Sequence, residues 1–368
     1  CNERNIDYHV SARYLLESEE YQAERVVDKY LENLAVDNLQ LVDEIEEFLM
    51  IYDLTDKKRS IYEKIGDLYK EIKDYYKSYT YYIKAFESIR KDNIDDMAAI
   101  LILKLSNCCK LNHKYKEALE FCKLPLKNES FISMDIKLEL LLNKAEILML
   151  LKEYDSSLDE IESIEEFNEE LSEEYLFTLN MLKGQCYREN RYYRDALEVY
   201  KSLKEGAGSL DKSKILCINI NIIGIYILLR DNRNITKHID ESLVLISSNR
   251  QLYKEKRGAE IFSGLAKGFK FISEDERAAE YYNHAIYSAK RNKQYEILTD
   301  ALENLFEIFE KKKALHEVDN IKNELLELIS TNAINNDNTL IFKVIGFYNA
   351  MDDKESIEGI VSFILNHQ

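Results

Sequence analysis

A small residue set inside an aromatic, apolar stretch returns about every forty positions, and no other feature of the sequence restricts the fold so strongly. With Gly66 as anchor, Tyr62 and Ile65 precede it and Tyr69 follows, and a second stretch then carries Tyr75, Ser78, Tyr82 and Ala85. Anchored on Ser106, the same places hold Ile102, Leu105, Cys109, Tyr115, Ala118 and Cys122; on Ala145 they hold Leu141, Leu148, Tyr154, Ser157, Ile161 and Ile164. Gly184 brings Tyr187, Tyr193, Ala196, Tyr200 and Leu203, and Ala266 brings Phe262, Leu265, Phe269, Ala278, Tyr282 and Ala285. The small anchor and the small residue twelve positions on let two antiparallel helices approach closely, while the aromatics fill the space toward the next pair. One such hairpin cannot bury its apolar face alone, so the hairpins must stack.

Further copies are weaker. Gly224 keeps Ile220, Ile223, Ile227 and Leu243 but places Arg233, Thr236 and Asp240 where the others carry Tyr, a small residue and an aromatic. Gly346 keeps Phe342 and Ile345, followed by a poorly matching helix from Glu355 to Leu365, and a helical copy of uncertain register runs from Asp300 to Ile329. A hairpin from Tyr8 to Leu34 and a helix from Asn38 to Tyr52 come first. The anchors Gly66, Ser106, Ala145, Gly184, Gly224 and Ala266 are spaced by 40, 39, 39, 40 and 42 residues. One proline, Pro125, and ten glycines in 368 residues leave long helices unbroken. The expected organisation is a hairpin and linking helix over 1–55 and a repeat array over 56–368.

Several chemistries are excluded by what the chain carries. A formal charge of −18 opposes binding to a polyanion, and no basic stripe offsets it, so this stretch alone is not expected to bind duplex DNA. The acidic run from Asp159 to Glu174 reads as a solvated helix face, with Ser172 and Glu173 opening the next helix. No apolar run of membrane-spanning length stands out, and no membrane partner is expected. Cys1, Cys108, Cys109, Cys122, Cys186 and Cys217 form no C-x-x-C pair and read as reduced core thiols of a cytoplasmic protein. His9, His113, His238, His284, His316 and His367 show no ligand spacing, and no phosphate loop, nucleophile elbow or zinc helix is present. The reading is of a non-enzyme with no cofactor and no metal.

These offsets of small and aromatic residues resemble the tetratricopeptide repeat family over most of residues 56 to 368, although the period exceeds that family's usual ~34 residues. The resemblance implies an all-α fold, a right-handed superhelix, or α-solenoid, of about eight hairpins. Period and composition further resemble the Gram-positive receptors for signalling peptides known as the RRNPP or Rap/PlcR family. That likeness implies quorum sensing through a short linear peptide held in a concave groove. It also implies a DNA-binding or effector domain ahead of the repeats, and residues 1–55 lack the basic recognition positions of such a domain. A DNA-binding part of a transcriptional regulator is therefore expected upstream of Cys1, a lipidated cysteine at that position being the other reading. A scaffold holding a partner protein, or a Rap-like inhibitor of a response regulator, is the alternative function; association as a homodimer stays open.

In such hairpins the residues three before and one after the anchor face the concave side. These are Glu63 and Asp67, Leu103 and Asn107, Leu142 and Glu146, Met181 and Gln185, Asn221 and Ile225, and Ser263 and Lys267. One turn further lie Lys70, Lys110, Met149, Arg188, Leu228 and Lys270. The amides of Asn107, Gln185 and Asn221 each offer a donor and an acceptor to an extended peptide backbone. Lys267, Lys270 and Arg188 suit a carboxylate, and Glu63, Asp67 and Glu146 an amine or a basic side chain.

Overall fold

The computed structural model describes residues 19–52, 55–89, 94–127, 132–167, 171–206, 211–249, 251–331, 333–334 and 339–366. Cys1, His9, the start of the hairpin expected from Tyr8, and His367 lie outside these residues. Among the described residues there are eighteen α-helices and no strand. They fall into two compact units, one ending at Asn190 and the other beginning at Arg191.

The first unit holds α1 (Glu19–Asn33), α2 (Leu41–Ile51), α3 (Thr55–Glu71), α4 (Tyr75–Glu87), α5 (Asp96–Leu111), α6 (Tyr115–Leu126), α7 (Met134–Leu150), α8 (Tyr154–Glu165) and α9 (Glu173–Glu189). Each helix packs on the next from α3 to α9, and the first helices α5, α7 and α9 also touch in turn. The anchors Gly66, Ser106, Ala145 and Gly184 are all buried. At three of the contacts a serine strengthens the close approach. Ser78 Oγ donates to Gly66 O at 2.9 Å, Ser106 Oγ to Ala118 O at 2.9 Å, and Ser157 Oγ to Ala145 O at 2.7 Å. The pair twelve residues apart thus needs one small residue for space and one hydroxyl to bond the facing carbonyl. As expected, Ser172 opens α9, its hydroxyl accepting from Tyr175 N.

The second unit holds α10 (Tyr193–Glu205), α11 (Lys212–Leu229), α12 (Asn232–Ser247), α13 (Gly258–Phe271), α14 (Asp275–Arg291), α15 (Tyr295–Lys312), α16 (Leu315–Ser330), α17 (Thr339–Ala350) and α18 (Lys354–Asn366). Within it α11 packs on α13, α13 on α15 and α15 on α17.

Both units make their hairpins with the same turn. Lys152 N bonds Met149 O and Glu153 N bonds Leu148 O, both at 2.9 Å, which satisfies the last carbonyls of α7. Lys152 is left-handed, with φ 64°. The equivalent turns place Lys73, His113, Arg230, Ser273, Lys313 and Asp352 at positive φ. The next residue opens the second helix; Asp74, Asp231 and Asp353 do so with a side-chain bond to the backbone. Non-glycine residues carry a steric cost at these positions, so Lys152→Gly is expected to raise the unfolding free energy by about 1 kcal/mol. Equilibrium denaturation measures it, and an unchanged midpoint would show the turn to be unstrained.

The turn also fixes the register, and two copies differ from the sequence reading. The left-handed residue lies seven positions after Gly66, Ser106, Ala145 and Ala266, but six after Gly224 and Gly346. Counting back seven puts Ile223, Ile345 and, from Lys313, Phe306 in the anchor place. The buried residues of α12 agree, being Ile235, His238, Ile239 and Ser242, while Thr236, Asp240 and Leu243 of the sequence register are not among them. Gly346 is exposed and a Cβ there would meet nothing within 4 Å. The bulky Ile223 fits because the small residues moved to α13. A Cβ at Gly268 would sit 3.1 Å from Ile223 Cγ2 and 3.0 Å from Ile239 Cδ1, and one at Gly264 2.9 Å from Ile220 Cβ.

One exclusion drawn from the sequence needs correcting. Helix α11 has 18 residues with a mean hydropathy of 1.6, long and apolar enough to cross a membrane, but 61% of it is buried inside the protein. It is apolar on all sides because α12 and α13 cover it.

Candidate functional site

Within each unit, lysines bridge the first helices from hairpin to hairpin on the side where most of the expected groove residues of that unit stand, Asn221 and Ile225 excepted. In the first unit Lys104 Nζ donates to Glu63 Oε1 and Asp67 Oδ2, both at 2.8 Å. Lys110 Nζ donates to Asn143 Oδ1 at 2.9 Å and Glu146 Oε2 at 2.6 Å. The second unit repeats this clasp, with Lys270 Nζ on Asn304 Oδ1 at 2.9 Å and Glu307 Oε2 at 2.6 Å. The Lys270 ammonium holds the Glu307 carboxyl below the usual carboxylate range. Lys267 pairs with Asp300 at 3.0 Å and Lys343 with Glu303.

The sequence-derived site residues therefore divide into three groups. Asn107 and Gln185 are half-buried on α5 and α9, and neither amide has a hydrogen-bond partner among the described residues. Near them stand the half-buried Leu103, Leu142, Met149 and Met181 at the other first-helix offsets. Glu146, Lys267 and Arg188 lie on the expected face but are engaged. Glu146 bonds Lys110, Lys267 bonds Asp300, and Arg188 donates Nε and Nη2 to Glu189 Oε1 at 3.1 and 2.9 Å. Asn221 is misplaced: it is 7% exposed, its Nδ2 donates to Cys217 O at 2.9 Å, and its Oδ1 accepts from Tyr200 at 3.4 Å. The cause is the one-residue shift of the Ile223 copy, which turns Asn221 and Ile225 into the core.

Sequence reasoning missed Lys104, Asn143, Asn304, Glu307 and Lys343. Lys104, Asn143, Asn304 and Lys343 all lie two positions before an anchor place, and that recurrence could have exposed them. Asn143, 6% exposed, also donates Nδ2 to Ser106 Oγ at 3.1 Å and Cys122 Sγ at 3.3 Å, tying α5, α6 and α7 together.

The remaining titratable groups have packing environments. Burial pushes the thiols of Cys109 and Cys217 up to about 12, so neither is a ready thiolate. Among the described residues no cluster of His, Cys, Asp and Glu could hold a metal ion. His284 sits among Tyr253, Phe262 and Tyr281, with ring centroids 5.3 to 5.5 Å away. His238, 7% exposed and stacked on Tyr226, leaves Nδ1 without a hydrogen bond, 3.4 Å from Glu241 Oε2. Burial holds its pKa below the ordinary value; Glu241 opposes this, and Lys204, Lys237 and Lys201 reinforce it. A folded pKa below the unfolded ~6.5 means the unfolded chain binds this proton more readily. His238 therefore contributes stability that is fully present above pH ~6.5 and lost as pH falls below it. Thermal melting from neutral to mildly acidic pH should fall less steeply for His238→Phe than for wild type; identical slopes would refute the assignment.

Paired helices stacked in this manner define the tetratricopeptide-type α-solenoid fold. No protein-family model matches the sequence, and no curated protein matches it. Solved structures do. The signal-transduction ATPase with a tetratricopeptide repeat sensor from Pyrococcus horikoshii aligns with a TM-score of 0.53 at 16% identity over 88% of this chain. This chain spans about half, 54%, of that protein's length. NprR in complex with its cognate peptide NprX aligns with a TM-score of 0.53 at 17% identity, covering 92% of this chain and 97% of that one. A Rap protein bound to Competence and Sporulation Factor aligns with a TM-score of 0.51 at 14% identity, covering 94% and 98%. At these identities the likeness establishes the fold.

Proposed function

We propose that the protein is a cytoplasmic peptide-sensing regulator of the quorum-sensing kind, which binds a short linear peptide on its first-helix faces. The observation that carries this reading is the pair of half-buried, unpartnered amides Asn107 and Gln185 on a face where Glu63 and Glu146 are already ion-paired to lysines. An amide left without an internal partner at such depth is suited to an external N–H and C=O, and an extended peptide supplies both along its length. Leu103, Leu142 and Met181 at the neighbouring offsets suit its apolar side chains. The likeness in fold to NprR, solved with NprX, and to Rap, solved with Competence and Sporulation Factor, supports the same reading.

Selection of the whole protein against a library of short random linear peptides tests the proposal. Selected peptides should lose about tenfold in affinity with Asn107→Ala or Gln185→Ala by calorimetric titration, because the peptide groups they met are left unpaired. Melting temperatures should not change. Equal affinity in both variants would overturn the assignment of this face.

A further inference from the structure

Two buried tyrosines donate their hydroxyls to an aspartate that also serves a lysine, and a third buried tyrosine, Tyr282, has no acceptor. In the first unit Tyr82 OH donates to Asp67 Oδ1 at 2.6 Å while Lys104 Nζ holds Asp67 Oδ2 at 2.8 Å. In the second unit Tyr348 OH and Lys322 Nζ both donate to Asp319 Oδ1, at 2.5 and 2.9 Å. Tyr282 occupies the place of Tyr82, sixteen positions after its anchor, and is fully buried, yet its hydroxyl has no partner. Asp300 bonds Ser263 and Lys267 on α13, the helix against which the α14 of Tyr282 packs, and its charge, with that of Glu307, adds to burial in raising the Tyr282 pKa. Asp300 instead spends Oδ2 on Lys267 at 3.0 Å and on Ser263 Oγ at 3.4 Å, and Oδ1 meets Asn304 Nδ2 only at 3.5 Å.

A buried hydroxyl without an acceptor is costly, and a carboxylate is the acceptor that the two complete sets use. We propose that Lys267 is an anion site for a carboxylate of the bound ligand, and that filling it hands Asp300 from Lys267 to the Tyr282 hydroxyl. The asymmetry follows from the orphaned donor. A cationic ligand would draw Asp300 outward and leave Tyr282 as it is, whereas an anion on Lys267 repels Asp300 toward a buried hydroxyl that lacks an acceptor. Lys267 is accessible for this role, with 48% of its side chain exposed. The identity of the ligand as a peptide rests on the reading above; the site itself does not.

The probes are acetyl-Glu-Glu amide, acetyl-Gln-Gln with a free carboxyl terminus, and acetyl-Gln-Gln amide, added at matched ionic strength to the whole protein labelled with carbon-13 at tyrosine Cζ. The resonance that vanishes in Tyr282→Phe is that of Tyr282. It should move with one or both charged probes and stay still with the neutral amide. Movement with the first probe alone assigns a side-chain carboxylate, and with the second alone a terminal one. Calorimetrically, Lys267→Gln should weaken the charged probe about tenfold, and Tyr282→Phe about threefold, since Asp300 then has nowhere to go. In the free protein Tyr282→Phe should leave the melting temperature unchanged or raised, whereas Tyr82→Phe lowers it. A Tyr282 resonance that ignores both charged probes, or follows the neutral one equally, overturns the proposal, as does equal affinity in Lys267→Gln. The probes are too short to span a first-helix face, so a negative result here and a failed peptide selection are separate outcomes.

Discussion

Gly66→Leu is expected to lower the unfolding free energy by about 3 kcal/mol or more, the upper end of what overpacking a tight core costs. A Cβ at Gly66 would lie 2.6 Å from Tyr82 Cδ1 and 2.7 Å from Cε1. The ring cannot retreat, because Tyr82 is fully buried and its hydroxyl is bonded to Asp67. The α3–α4 contact must open, which also breaks the bond from Ser78 to Gly66 O. Gly346→Leu supplies the contrast. With nothing within 4 Å of that Cβ, the same substitution should leave stability within about 0.5 kcal/mol. Equal losses in urea denaturation would mean that Gly346 is an anchor after all and that the register is wrong.

Asn143→Ala is expected to cost about 2 kcal/mol. Its amide is the node between three helices: Oδ1 accepts from Lys110, and Nδ2 donates to Ser106 and Cys122. Truncation leaves the Lys110 ammonium with Glu146 alone, removes a donor from a buried hydroxyl, and opens a gap at a site 6% exposed. Asn107→Ala, one hairpin earlier on the same face, removes no internal bond and should be close to neutral in the free protein. Comparable losses for the two would show that Asn107 is a structural residue, which would weaken the peptide reading.

Much of the fold was legible because close helix approach demands a small residue, and Gly66, Ser106, Ala145, Gly184 and Ala266 supply it at an even spacing. The turns were not legible, since their left-handed positions hold Lys, His, Arg, Ser and Asp where glycine would have marked them. That hid the single-residue shortening before Arg230. With it went the knowledge that Ile223, not Gly224, is the anchor, and this is why Asn221 was placed on the surface and lies in the core. The charged residues of the site were read one by one as ligand contacts. Their actual partners sit 36 and 37 residues away, as for Lys110 with Glu146 and Lys270 with Glu307, and only the stacking of hairpins brings them together. Asn107 and Gln185 sit half-buried on their first helices, and both copies keep the full seven-residue count from the anchor to the left-handed residue, His113 and Arg191.

The central claim is that a linear peptide lies on the first-helix face, and hydrogen exchange of the whole chain with and without a selected peptide tests it most directly. Protection should increase in α5, α7 and α9, which carry Leu103, Asn107, Leu142, Met181 and Gln185, and change little in α4, α6 and α8. Protection confined to α4, α6 and α8, or none in α5, α7 and α9 at saturating peptide, would contradict the account.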